Sequence, residues 1–423
     1  MKRAPFSVII SFIKRGLNNM TKTTKQFNLL DLLKKFSVLG RTSSEGVTRR
    51  VYDSNWVAAQ LKYADLAEKY GLNVFTDKMG NLYASTSNDP EQGPVIMTGS
   101  HMDTVVNGGK LDGTYGTLAS LVSLGELVAE YGAPKVPIVA VSFSEEEGSR
   151  FETTFTGSKF LTNQFDDTVY NITDKENITF EDARKKALDE LKSKIKMMHS
   201  KWKIAKYIEL HIEQGPVLEK ERIPIGIVTG ITGQIRVLIQ THGIANHAGT
   251  TPMNMRDDAM RKAVSLMNDI YQELEQTSGL RYTIGKITAT PNVANVVPNN
   301  VTFSLDMRHL DQSILNKVFD EISKLVERHD GKLTLTTNVK ASKMNPHLKS
   351  VLEAAAQNKN LDYKCLPSGA GHDAQVVSYK FPTGMIFVPS INGISHSPLE
   401  KTEAKDLING RETLKDALYK LAY

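Results

Sequence analysis

At 423 residues, with 40% hydrophobic and 23% charged residues and a mean hydropathy of −0.29, the chain has a globular composition and is too long for one ordinary core. Its formal net charge of +5 is small for that length and no long basic block is present, so nucleic acid is not indicated as a partner. A single cysteine, Cys365, excludes an internal disulfide and fits a reducing compartment. No motif surrounds it, so a packed thiol is expected rather than a nucleophile.

At the N-terminus, Lys2 and Arg3 precede the apolar run Phe6–Ile13, and Lys14 and Arg15 follow it. This resembles a short signal segment but has neither a small-residue cleavage site nor spanning length. Residues 1–20 read as an extended or misassigned start, and Thr21–Lys25 as an ordinary hydrophilic beginning. No other stretch suits a membrane span, and a cytoplasmic protein is expected.

Ser54–Tyr70 predicts an amphipathic helix with a Ser cap, a stripe of Val57, Leu61, Ala64 and Ala67, and Gly71 as its stop. Two short strands, Asn73–Thr76 and Leu82–Ser85, flank a Gly80-Asn81 turn. The apolar run Val95–Thr98 predicts a buried strand that delivers Ser100–Asp112, with His101, Asp103 and Asp112, to its C-terminal end. Open α/β sheets bind ligands at such ends. Histidine and carboxylates together suggest metal ligands, with one carboxylate left to orient the histidine. The plainer alternative is a polar loop in which Asp103 or Asp112 caps the following helix, Thr114–Tyr131. Pro137–Phe143 predicts another buried strand, running into Ser144-Glu145-Glu146-Glu147-Gly148. Residues 165–203 are charged and helical in character. Lys206–Leu210 predicts a third buried strand, ending in His211-Ile212-Glu213-Gln214-Gly215-Pro216.

From about Gly230 the pattern changes. Gln234–Thr241 alternates as a half-buried strand through Ile235, Val237 and Ile239. A helix over Asp257–Glu275, strands Tyr282–Thr288 and Val301–Asp306, a helix over Leu310–Arg328 and a strand Leu333–Asn338 follow. That β-α-β-β-α-β order is the ferredoxin-like arrangement of a compact α+β unit. The first pattern then resumes with a helix Pro346–Asn358, strands Tyr363–Leu366 and Thr383–Val388, and a closing helix from about Thr402. The expected organisation is an α/β catalytic domain (21–231 and 341–423) with a central mixed sheet flanked by helices. It is interrupted by an inserted α+β domain (232–340) and preceded by the extension 1–20.

The strand ends supply His101, Asp112, Glu146, Glu147 and His211, and the C-terminal segment adds His396 in Ile394-Ser395-His396-Ser397-Pro398. These would suffice for two divalent ions if Asp112 bridges them. Nitrogen and oxygen ligands without thiolate suit Zn²⁺ or Mn²⁺. Such ions polarise a carbonyl and acidify water, and a Glu beside a ligand Glu could take the proton. Taken singly, a Glu-Glu-Glu run is usually a solvated face, and His211 or His396 is more often structural. The combination carries the specificity.

The segments GSHMDTVVNGGKLDGTYG, EEEGSRF, ELHIEQGPVLE, NHAGTTPM, NVVPNNVTFSLDMRH, SGAGHDAQ and PSINGISHSPLE, between Gly99 and Glu400, together resemble the M20-type amidohydrolases. The resemblance is to the branch of allantoate amidohydrolases, N-carbamoyl-L-amino acid hydrolases and β-ureidopropionases. His211 in HIEQGP distinguishes that branch from the peptidases, where a carboxylate usually stands. The resemblance implies that His101, Asp112 and His211 hold one metal, and that Asp112, Glu147 and His396 hold the other. It makes Asp103 the carboxylate behind His101 and Glu146 the general base. His247 would stabilise the tetrahedral oxyanion from across a homodimer interface, which makes the inserted domain both lid and dimerisation domain. Gln214, Asn295 and Arg308 match substrate-carboxylate binders, and Gly369, Ala370 and Gly371 would offer backbone donors. For Arg308 the plainer alternative is a surface ion pair with Asp306. Lid closure would bring His247, Asn295 and Arg308 over the metals.

Within the branch, SHMDTVVNGGKLDG, EEEGSRF followed by Phe155-Thr156-Gly157-Ser158-Lys159, and PSINGISHSPLE sit nearest the allantoate amidohydrolases. The expectation is hydrolysis of allantoate to ureidoglycine, ammonia and carbon dioxide in purine nitrogen salvage, acting on a small ureido acid with no nucleic-acid or membrane partner. The runner-up is an N-carbamoyl-L-amino acid hydrolase or β-ureidopropionase. A binding protein of the same fold that has lost catalysis, and a peptidase, complete the alternatives.

Overall fold

The computed structural model describes residues 28–91 and 93–423. The expectation for residues 1–20 lies outside them. Two compact units emerge. The first runs up to Thr229 and takes in Met344–Leu366 and His372–Tyr423; the second comprises Gly230–Lys343 and Pro367–Gly371.

The first unit is built on a mixed sheet whose core is four parallel strands. In spatial order these are Thr383–Val388, Lys203–Ile212, Pro94–His101 and Ile138–Phe143. Leu82–Ser85 and Asn73–Thr76 continue the sheet with antiparallel pairings on one side, and Ile225–Ile231 does so on the other. Burial on both faces explains why the central strands read as continuous apolar runs: every residue of Ile138–Phe143 and Thr383–Val388 is buried. Because the four run the same way, their C-terminal ends open along one edge. His101, Ser144, His211 and Pro389 are delivered there together.

The helix Thr114–Tyr131 packs on Pro94–His101 and is buried along its first three turns, and Ala404–Ala422 packs on it in turn. Its N-terminus refutes the capping alternative. The N-cap position is Gly113 (φ 60°), and no side chain caps the helix. A Cβ at Gly113 would stand 2.4 Å from His101 Cε1, so that position admits only glycine.

Other expectations need correction. The cap of the Ser54–Lys69 helix is Asp53, whose carboxylate accepts Trp56 N–H at 2.7 Å, and not Ser54. Residues 165–203 hold only one α-helix, Phe180–Leu191, beside a 3₁₀ turn at Asp167–Asn171 and a short strand at Lys196–Met197. Cys365 is exposed, with Sγ 3.2 Å from Glu353 Oε1. It alternates with buried Leu366 along the strand Tyr363–Ser368, and that period of two turns the thiol outward.

The second unit carries an antiparallel sheet. Lys332–Val339 pairs with Gly233–His242, which pairs with Asn300–His309; that strand also pairs with Arg281–Thr283 and Ile287–Thr290. The single strand expected over Tyr282–Thr288 is therefore two, interrupted at Ile284-Gly285-Lys286. One face buries Ile235, Val237 and Ile239 with Val301, Phe303, Leu305 and Met307. Leu266 and Ile270 of the helix Ala259–Glu275, and Leu315 and Ile322 of Gln312–Arg328, complete that core. Among the described residues, no helix is long and apolar enough to cross a membrane.

Candidate metal centre

His101 ends its strand, and its Nδ1 lies 3.0 Å from the Asp103 carbonyl oxygen. His211 is placed likewise, with Nδ1 2.9 Å from the Ile212 carbonyl oxygen. Only an N–H pairs with a carbonyl, so both rings carry a proton on Nδ1 and turn Nε2 toward Asp112. The Asp112 carboxylate stands between two sets of donors. Its Oδ1 is 3.1 Å from His211 Nε2 and 3.5 Å from His101 Nε2. Its Oδ2 is 3.3 Å from His396 Nε2, which is itself 3.3 Å from Glu147 Oε2. Gln214 Nε2 also donates to Asp112 Oδ2, at 2.7 Å. Two groups able to hold an ion thus share Asp112: His101–Asp112–His211 and Asp112–Glu147–His396. Glu146 reaches toward the first, with Oε2 3.9 Å from His101 Nε2.

The loops that present these groups contain strained backbone. Glu145 (φ 52°), Gln214 (φ 55°) and His396 (φ 54°) all adopt the left-handed region that non-glycine residues rarely enter. Hydrogen bonds hold the first of these turns: Asp103 Oδ2 accepts the backbone N–H of both Glu146 and Glu147 at 3.0 Å. The Asp103 carboxylate therefore fixes the two glutamates, while its other oxygen is 3.5 Å from His101 Nδ1. The shorter hydrogen bond orienting His101 comes from the Asp103 main chain.

So much buried negative charge needs compensation. Burial, followed by the neighbouring Glu147 charge, pushes the Glu146 carboxyl well above the usual range. Burial and Asp112 push Glu147 up to about 8. Asp112 goes the other way: burial would raise it, but His211, His101 and His396 together hold it well below the usual range. The hydrogen bond to Asp112, with the charge of Glu147, lifts His396 to about 9. Glu147 Oε1 and Gln214 Oε1 are buried without a hydrogen-bond partner. Imidazole nitrogens turned inward, an excess of carboxylate and orphaned buried oxygens fit divalent cations with nitrogen and oxygen ligands.

Several contributors escaped the sequence reading. Glu209 is fully buried, accepting Ser100 Oγ–H at 2.8 Å and Ala374 N–H at 2.8 Å. A carboxylate inside an apolar strand, two residues before His211, was a signal that could have found it. His372 is buried with its ring centroid 4.7 Å from that of His211. Burial and the neighbouring His211 charge hold His372 well below the usual imidazole range. Arg49, also buried, donates from Nε to the Met102 carbonyl oxygen at 2.5 Å and from Nη2 to Thr114 Oγ1 at 2.6 Å. It pins the segment after His101, and nothing local in the sequence marks it.

The second unit holds the remaining candidates. His247 lies exposed in the short strand Asn246–His247, and its Nδ1 accepts N–H from Gly249 at 3.1 Å and Thr250 at 3.2 Å. The ring proton therefore sits on Nε2. Asn295 is adjacent, its carbonyl oxygen accepting Ala248 N–H at 2.9 Å. Arg308 does pair with Asp306, with Nε 2.9 Å from Oδ1, and it also donates from Nη1 to the Gly369 carbonyl oxygen at 2.7 Å. With Arg236, Arg281 and Gly369 it lines a cavity of about 510 Å³. The Ala370 N–H is taken by Ser368 Oγ at 3.1 Å within its own turn, which Gly371 follows.

The sequence profile of Peptidase family M20/M25/M40 matches residues 97–420. The chain belongs to this family. Allantoate amidohydrolase of Bacillus subtilis is 37% identical to this M20-family chain over 416 residues, covering 95% of it and 99% of the relative. N-carbamoyl-L-amino acid amidohydrolase of Geobacillus stearothermophilus is 35% identical over 398 residues, covering 92% and 97%. Among solved structures, a hydantoinase/carbamoylase family amidase from Burkholderia multivorans superposes with a TM-score of 0.86 at 28% identity. It covers 94% of this chain and 98% of its own. The likeness to these M20 amidohydrolases therefore spans both units and nearly the whole chain.

Proposed function

We propose that the protein is a binuclear metal amidohydrolase that cleaves a ureido C–N bond, converting allantoate and water to ureidoglycine, ammonia and carbon dioxide. The observation that carries this reading is the Asp112 carboxylate, with one oxygen facing His101 and His211 and the other facing His396. A carboxylate so placed suits a bridge between two ions, Zn²⁺ or Mn²⁺, with Glu147 completing the second set. Bound there, the ions would polarise the ureido carbonyl and acidify the attacking water.

The protein's own groups do the rest. Glu146 accepts the water proton and returns it to the leaving nitrogen; burial alone disfavours its ionised form, which cations held beside it would favour. His247, with its proton on Nε2, donates to the tetrahedral oxyanion from the second copy of a homodimer. Arg308, Asn295 and Gln214 hold the substrate carboxylate, and Arg308 does so with a planar fork that a lysine lacks. Gly369 and Gly371 supply backbone donors, whereas the Ala370 N–H is committed to Ser368 Oγ and Ala370 shapes the turn instead. The second unit is then lid and dimerisation domain together, inserted in a catalytic domain of a cytoplasmic enzyme.

The similarity to an N-carbamoyl-L-amino acid amidohydrolase at 35% identity supports one alternative, which uses the same metals, base and clamp. Ammonia release from allantoate and from a panel of N-carbamoyl-L-amino acids, measured with Mn²⁺-loaded protein, separates the two. Preference for allantoate supports the proposal. Preference for a carbamoyl amino acid replaces the substrate, and no release from any ureido acid removes the amidohydrolase reading.

A further inference from the structure

Glu400 is buried beside the centre and belongs to none of the donor groups that could hold an ion. Its Oε1 accepts the backbone N–H of Leu111 at 2.8 Å and of Asp112 at 3.1 Å. Its Oε2 accepts Ser395 Oγ–H at 2.8 Å, and the same hydroxyl lies 2.9 Å from Asp112 Oδ2. One side chain thus grips the main chain of the loop ending in Asp112. Through Ser395 it also reaches the Asp112 carboxylate from the loop that carries His396. The fit is close: a Cβ added at Gly109 would stand 1.9 Å from Glu400 Oε1.

We propose that Glu400 is a positioning residue that sets the Asp112 carboxylate against the His396 loop and so builds the Asp112–Glu147–His396 group. This rests on the reading that Asp112 serves two ions. The two groups are not held alike. His101 and His211 belong to strands of the central sheet, paired with Phe143 and Phe387 in neighbouring strands, and that ladder fixes them without Glu400. His396 instead follows Ser395 in a loop, in strained left-handed backbone, and shares with Asp112 the network that Glu400 organises. Removing the Glu400 carboxylate leaves two buried N–H groups without their acceptor and frees the Ser395 hydroxyl to turn. The damage should fall mainly on the Asp112–Glu147–His396 group, because the His101–Asp112–His211 group keeps two ligands on the sheet and shares only Asp112 with the network.

The test is calorimetric titration of the metal-free full-length protein with Mn²⁺ alone, comparing wild type with Glu400→Ala, Gly109→Ala and Glu400→Gln. Groups behind metal ligands typically change affinity about 10–100-fold when removed. Glu400→Ala should weaken one of the two ions by about that factor and leave the other within about threefold. Gly109→Ala keeps the carboxylate but forces it from its seat, and should do the same. Glu400→Gln retains an oxygen for both backbone N–H groups and an N–H for Ser395, whose own proton then turns to Asp112. It should bind both ions within about threefold of wild type, a rescue that distinguishes placement from charge. Unchanged binding of both ions by Glu400→Ala overturns the proposal, as does Glu400→Gln binding as weakly as Glu400→Ala. If Glu400→Ala does not fold, Gly109→Ala and Glu400→Gln still decide. Wild-type protein that takes up no Mn²⁺ would overturn instead the two-ion reading beneath the proposal.

Discussion

Replacing Glu146 with glutamine separates the two jobs that adjacent buried carboxylates could share. The change keeps the side-chain volume, and the backbone N–H that anchors residue 146 to Asp103 Oδ2 at 3.0 Å is untouched. Because burial already disfavours the charged carboxylate, a neutral amide should not lower the melting temperature of the metal-free protein. Glutamine cannot take a proton from water, and loss of a general base costs about 10²–10⁴ in rate, or about 2.7–5.5 kcal/mol in the barrier. Glu146 is absent from both groups that share Asp112, so metal content should stay at the wild-type value. It does, however, form a further candidate group with His101 and Glu147. The assay is therefore double: kcat for ammonia release, and metal per subunit by elemental analysis. Loss of one ion would make Glu146 a ligand, and a rate within tenfold of wild type would move the base elsewhere.

Asp112→Ala removes the carboxylate common to both groups and should leave less than one ion per subunit; full retention of one ion would refute a bridge. Arg308→Lys keeps the charge but not the fork, and should raise KM by about 10–100-fold with little change in kcat; an unchanged KM would place the clamp elsewhere. Equal mixing of His247→Ala and Glu146→Gln chains should restore about a quarter of the wild-type rate, since half the dimers are mixed and each has one intact site. No recovery would return His247 to its own subunit or remove it from catalysis. In the metal-free protein His396 is lifted to about 9 and Glu147 to about 8, so both hold protons at neutral pH. An incoming ion must displace those protons, so loading should release them and affinity should fall steadily from pH 8 to pH 6. Mn²⁺ affinity independent of pH would contradict this.

The first unit was legible where an unbroken apolar run ended abruptly in polar residues, the mark of a strand buried on both faces that delivers the next side chains to the open edge of a parallel sheet. His101, Glu146, Glu147 and His211 were visible for that reason, and the structure brings them together with Asp112 and His396. The second unit was legible through clean alternation, as at Ile235, Val237 and Ile239, all of them buried. What stayed hidden depends on partners distant in sequence. Arg49 and Glu400 look like surface residues until the fold buries them against main-chain groups of the Met102 and Leu111 segments. The division of labour within Asp103, carbonyl to His101 and carboxylate to the glutamate turn, could not be read from spacing. Cys365 was misjudged because composition says nothing about which face of a strand a residue occupies.

The central claim is that one carboxylate, Asp112, joins two ions. Anomalous diffraction at the manganese edge from Mn²⁺-loaded crystals tests it most directly. The account predicts two peaks per subunit, one against Asp112 Oδ1 with His101 and His211, the other against Oδ2 with Glu147 and His396. A single peak, or two peaks that do not share Asp112, would contradict it.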